Sequence, residues 1–179
     1  NGKTVVQRKV QVNNWKAQNT ETLIRSQLPA LNQDQFCVQI YEANENNAFI
    51  CFCRSELVQK LLQEIKAKDG NLAKLLLGAP VVLGLRPIWS SLKSFEIPGY
   101  RVELSNGELE NLIPLEVTKV DQLVKFEGLE VAFPNILSFS CGLSYLLNMP
   151  LVWSKDTWLK RLEEGHIEKS RLKFLTVCC

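Results

Sequence analysis

The sequence predicts an α+β fold, with a split βαβ sandwich over residues 1–90 and a mixed β-hairpin and helical C-terminal half, residues 91–179, packed on it. Three observations lead there. Val6, Arg8, Val10 and Val12 alternate with Val5, Gln7, Lys9 and Gln11, the period of a strand with one buried face. Phe36–Tyr41 and Ala48–Cys53 are β-rich runs flanking an Asn-rich connection, which reads as a hairpin. Helical spacing appears before and after that hairpin, and no repeat or low-complexity linker divides the chain.

Taken in order, the first strand covers roughly residues 5–12 and directs its even positions to the core. Asn19 or Thr20 then caps a helix carrying Leu23, Ile24 and Leu28, stopped by Pro29. After the hairpin, Ser55 is expected to cap a second helix with Leu57, Leu61, Leu62 and Ile65 on one face, ended by Asp69-Gly70. Leu72–Leu77 reads as a further turn or short helix, and Pro80–Leu85 as a fourth strand. The resulting β-α-β-β-α-β order implies both helices on one sheet face.

In the second half, Ser91–Ser94 reads as a connector. Tyr100–Leu104 and Leu109–Val117 read as a hairpin turned by Asn106-Gly107, with Pro114 at an edge or bulge. Val120–Val124 and Leu129–Phe133 are short apolar pieces around Gly128. A helix is expected over Ile136–Leu147, interrupted near Gly142. Ser154 is a cap for a helix over Lys155–Glu164, and Ile167–Val177 is a last helix or strand.

Composition narrows the function classes. The chain has 179 residues, 46% hydrophobic and 22% charged, which is ordinary globular usage. A net charge of +2 gives no general basic field, so any polyanion would need a local patch. No run reaches the roughly 18 apolar residues of a membrane span, so no membrane partner is expected. Of six cysteines, Cys37, Cys51 and Cys53 lie in apolar strand patterns where a thiol packs as a small hydrophobe. A reducing intracellular setting, cytoplasmic or nuclear, is the expectation. The opening Asn1-Gly2 reads as the start of a trimmed piece of a longer protein, with a larger parent assembly.

The element order and two stretches, Val10–Trp15 and Asn47–Phe52, resemble the RNA-recognition motif, a ferredoxin-like fold whose central strands carry short signatures. Val10–Trp15 is similar to the family's first-strand signature, and Ala48-Phe49-Ile50 with Phe52 to half of the other. The chain departs from the family where Gln11 and Asn47 stand in place of stacking aromatics and Glu45 in place of a basic residue. Phe49 remains as the stacking platform. The resemblance implies a noncatalytic module that binds single-stranded RNA, with Phe49 and Tyr41 stacking on bases and Lys9 and Gln11 supplying polar contacts.

A second reading is that the later half of the chain covers this face, in which case Phe49, Cys51 and Cys53 are core. The module is then a protein-interaction or scaffold domain with a protein partner. Fold analogy does not choose between the two.

Catalytic and metal signals are thin. Cys51 and Cys53 have no second pair, and His166 is the sole histidine, so no metal is expected. Cys141 and His166 form the one conceivable thiol–imidazole pair. No Gly-rich phosphate loop is present, and no cofactor is expected. A basic stretch near the end, with Lys160, Arg161, Lys169 and Arg171 beside Trp153 and Trp158, is a candidate phosphate-facing surface. Asp156, Glu163, Glu164 and Glu168 dilute it toward a solvated amphipathic face.

Overall fold

The computed structural model describes residues 5–11, 20–30, 32–69, 72–116, 122–149, 152–154 and 175–178. It is mixed α+β with antiparallel sheets. The central sheet joins β1 (Val6–Gln11), β2 (Phe36–Asn44), β3 (Asn47–Arg54) and β10 (Val152–Ser154) in the order β1-β3-β2-β10. β3 lies between β1 and β2, and both its pairings are antiparallel.

The alternation read from β1 sets two faces. Cross-strand register aligns Val10 with Ala48, Arg8 with Ile50 and Ile40 with Ile50, so these share the first face. There Val10, Val38, Ile40, Ala48 and Ile50 form a small core with Leu23 and Ile24 of α1 (Thr20–Gln27) and Leu28 just after it. Phe52 lies at its margin, edge-on to Phe36 with ring centroids 6.0 Å apart.

The second face carries the larger core, and here three expectations are corrected. α2 (Ser55–Ala67) packs on this face, opposite α1, because its buried stripe is Val58, Leu61, Leu62 and Ile65 in the same core as Cys37 and Cys53. Leu57, placed on that stripe by the sequence reading, is 43% exposed. Ser55 is the first helical residue; Arg54 holds the cap position without a side-chain bond. The helices therefore do not share a face.

The second correction concerns the fourth strand. Pro80–Leu85 belongs to a 3₁₀ helix, Ala79–Ile88, in which every residue from Ala79 to Leu85 is buried. A short run that is apolar on all sides carries no period, so strand and buried helix are indistinguishable from it. Pro80 near its start suits a helical first turn. The third is Leu72–Leu76, expected as a turn or helix, which forms β4 and pairs in parallel with β11 (Leu175–Cys178).

The remainder forms two smaller sheets. β5 (Ser94–Ile97), β6 (Tyr100–Ser105) and β7 (Glu108–Pro114) make an antiparallel meander. Asn106 and Gly107 both have positive φ, 53° and 75°, as the two-residue primed turn read from the sequence demands. β5 begins at the last residue of the expected connector and covers a stretch for which no element was expected; its period is visible only over four residues, with Phe95 and Ile97 buried. β8 (Leu123–Phe126) and β9 (Leu129–Ala132) form a hairpin. α3 (Ile136–Leu146) runs through Gly142 without a break.

The larger core runs from Cys37 to Cys141, so residues on either side of position 90 pack into one interior. Trp89, Phe95 and Phe126 stack there, the last two edge-on at 5.1 Å. α3 docks on the 3₁₀ helix, and Ser140 Oγ donates to the Val81 carbonyl at 2.6 Å. The expected helix over Lys155–Glu164 lies outside the described residues. Among the described residues no helix is long and apolar enough to cross a membrane.

The α3 crossing gives a direct test. A Cβ at Gly84 would lie 2.4 Å from the Ser140 carbonyl oxygen, a main-chain atom held in a helix. Gly84→Ala is expected to lower unfolding stability by about 1–3 kcal/mol, as overpacking does, and urea denaturation reads it. A neutral or stabilised variant would contradict this packing.

Candidate interaction site on the central sheet

The second sheet face is built from rows of residues aligned across three strands. One row is Gln7, Cys51 and Gln39; the next is Lys9, Phe49 and Tyr41. The rows bring together all the strand residues predicted to contact nucleic acid except Gln11, which sits exposed at the end of β1 opposite Asn47. What covers the rows was not visible in the sequence.

The cover is the protein's own main chain. Gln39 Nε2 donates to the Leu75 carbonyl at 2.8 Å, and the Leu77 amide donates to Gln39 Oε1 at 2.7 Å and to Tyr41 Oη at 2.8 Å. Tyr41 Oη also donates to Gln39 Oε1 at 3.1 Å. At the far end of the row the Ala79 amide donates to Gln7 Oε1 at 3.1 Å. Residues 75–79 thus cross the row from Gln39 to Gln7, leaving the β11 ladder after Leu76, and side chains of the sheet bond the Leu75 carbonyl and the Leu77 and Ala79 amides.

Gly78 lies over the middle of the row. Its φ is +78°, and a Cβ there would be 3.0 Å from Cys51 Sγ and 3.3 Å from Gln7 Oε1. Only glycine combines that dihedral with that approach. A larger side chain than the Cys51 thiol would push the segment off the sheet.

Burial changes the chemistry of these groups. Tyr41 is fully buried, and desolvation holds its hydroxyl well above the ordinary tyrosine range; the neighbouring Cys51 adds to this and the Leu77 amide bond opposes it. Burial likewise pushes the Cys51 thiol up. Both groups therefore stay neutral at physiological pH.

The predicted stacking residues are corrected by this arrangement. Tyr41 is 0% exposed and Phe49 3%, so neither offers a ring face to a base. Lys9 is tied inward: its Nζ donates to the Glu110 carbonyl of β7 at 2.6 Å and pairs with Glu110 Oε1 at 3.2 Å. Lys160, Arg161, Lys169 and Arg171 lie outside the described residues.

Among the described residues this face has an opening beside β1. A cleft of about 220 Å³ lies between β1 and β7, lined by Val5, Gln7, Lys9, Phe49, Tyr100 and Leu112 among others. Sequence reasoning found Lys9 and Phe49 here, but missed Tyr100 and Leu112 because strands distant in sequence bring them in. Gln7 was legible only through its parity with Lys9.

No metal or nucleophile competes for the site. Among the described residues no cluster of His, Cys, Asp or Glu could hold a metal ion. Cys141 is disulfide-bonded and buried, so it has no thiol to pair with His166, which itself lies outside the described residues. Cys37, Cys51 and Cys53 are thiols packed inside the core.

No family model, no curated protein and no solved structure matches the chain.

The buried acids dictate a pH response. The unfolded chain ionises its cysteines and tyrosines near their ordinary values of 9.0 and 10.0, whereas the fold keeps Cys51 and Tyr41 protonated. Their stabilising contribution is complete below pH 9 and falls as pH rises beyond it, because the unfolded state then binds fewer protons than the native one. Tyr41→Phe is expected to cost about 1 kcal/mol at neutral pH, since Leu77 keeps Gln39 as acceptor. It should also shallow the alkaline loss, read by denaturant midpoints from pH 7 upward. An unchanged alkaline slope would contradict the burial of this hydroxyl.

Proposed function

We propose that the chain is a noncatalytic protein-interaction or scaffold module whose central sheet face is closed by its own main chain. The observation that carries the reading is the seating of residues 75–79 on Gln7, Gln39 and Tyr41, with Phe49 and Tyr41 buried beside them.

The chemistry supports it in two ways. Base stacking contributes roughly 1–3 kcal/mol per base only where a ring face meets solvent, and this face has none to offer. Its polar side chains are satisfied within the fold, so a nucleobase edge would have to displace bonds to main-chain groups that are costly to leave unpaired. The surface left for partners is made of strand edges and the cleft beside them.

A single substitution separates this reading from an RNA reader. Phe49→Ala empties a buried aromatic site and is expected to lower stability by about 3–5 kcal/mol. Wild-type protein titrated with single-stranded RNA at low and high salt is expected to give no saturable binding. Saturable, salt-dependent affinity that drops severalfold in a folded Phe49→Ala protein would overturn the proposal.

A further inference from the structure

We propose that the outer edge of β1 receives an extended, acidic and apolar segment of a partner protein, which adds to the central sheet and fills the cleft between β1 and β7. This rests on the interaction-module reading and names the chemistry of its partner.

β1 ends the sheet order β1-β3-β2-β10, so among the described residues no strand pairs with its outer side. Val6–Gln11 contains no Pro or Gly and pairs with β3 residue for residue without a bulge. Proteins commonly blunt such edges with bulges, prolines, covering loops or charged side chains; β1 carries only the last of these, in Arg8 and Lys9, and the Arg8 charge makes the edge selective. Here Arg8 and Gln11 are exposed and Val6 is 45% exposed, so the edge is open to solvent.

The two sides of the edge specify the two parities of an incoming strand. On one side lies the cleft, with Phe49, Tyr100, Leu112 and Pro114 as its apolar lining, which suits side chains such as valine or leucine. On the other side stands Arg8, exposed and sharing a face with Val10; its guanidinium also donates to the Gln27 carbonyl at 3.1 Å. Lys9 takes the opposite parity and is held by Glu110, so within β1 Arg8 is the cation a newcomer meets on that side. A directly opposed carboxylate is favoured there, since opposite charges across a strand pair stabilise it by roughly 0.2–1 kcal/mol. Alternation of acidic and apolar residues is the result.

The same charges argue against a second copy of this chain. An antiparallel β1–β1 pair opposes residues of the same face, so a pair centred on the middle of the strand would set Arg8 against Arg8, or Lys9 against Lys9, of the other copy. Like charges so placed are destabilising, so the edge selects a different strand.

The probe is a short end-capped peptide of alternating valine and glutamate, added to the full chain while amide hydrogen exchange is followed. At a peptide concentration roughly ten times its dissociation constant, exchange at amides within Val6–Gln11 is expected to slow about tenfold. A main-chain N-methylated version of the peptide should have no effect, and Arg8→Glu should weaken the acidic peptide and favour one of valine and lysine. Absence of slowing, equal slowing by the N-methylated peptide, or protection of β1 that tracks protein concentration alone would each overturn the proposal. Failure here with no RNA binding sinks the strand addition and leaves the interaction module standing; saturable RNA binding sinks the module itself.

Discussion

Main-chain groups of residues 75–79 are held by side chains of the central sheet, and the arrangement of the larger core depends on that contact. Gln39 both accepts from the Leu77 amide and donates to the Leu75 carbonyl, while Gln7 accepts from Ala79. A buried amide or carbonyl without a partner costs about 1–3 kcal/mol, so a segment that leaves the β4–β11 ladder to cross a sheet face is tolerated only if the sheet supplies polar side chains. The three that do so stand in two adjacent rows, on β1 and β2. Once they fix the segment, β4 is set before it and the 3₁₀ helix after it, and α3 packs on that helix.

The same contact decides what the sheet can do. Aromatic and amide side chains on an open sheet would suit stacking and base-edge hydrogen bonds; covered, they serve as floor and anchor. Cys51 illustrates the point, because its small thiol under Gly78 makes room for the main chain to approach. In the proposed reading, recognition is thereby displaced from the face to the rim. There Lys9 bridges to the β7 main chain through Glu110, and the cleft beside β1 keeps an apolar lining.

Local signals carried much of the fold. Alternation placed β1, β2 and β3 on the right faces, and Asn106-Gly107 set the β6–β7 hairpin with both residues at positive φ. Pro80–Leu85 failed because it is apolar on every side, and α2 was put on the wrong face because that placement rested on a β-α-β-β-α-β order whose last strand is a 3₁₀ helix. The site was half legible. Parity identified the face that Phe49, Tyr41 and Lys9 share, but alternation says which side a residue takes and nothing about what covers it. The sharper clue lay in Gln39 and Cys51: an amide beside a thiol in a β-rich run suits an anchored chain better than a stacking platform.

The central claim is that residues 75–79 close the sheet face through bonds to Gln39 and Tyr41, and the Leu77 amide reports on it directly, since it donates to both. Native-state hydrogen exchange at that amide should be protected to nearly the free energy of global unfolding, because releasing it requires opening the larger core. Exchange at the rate of a solvent-exposed loop, with the β2 and β3 amides still protected, would show an open face and contradict the account.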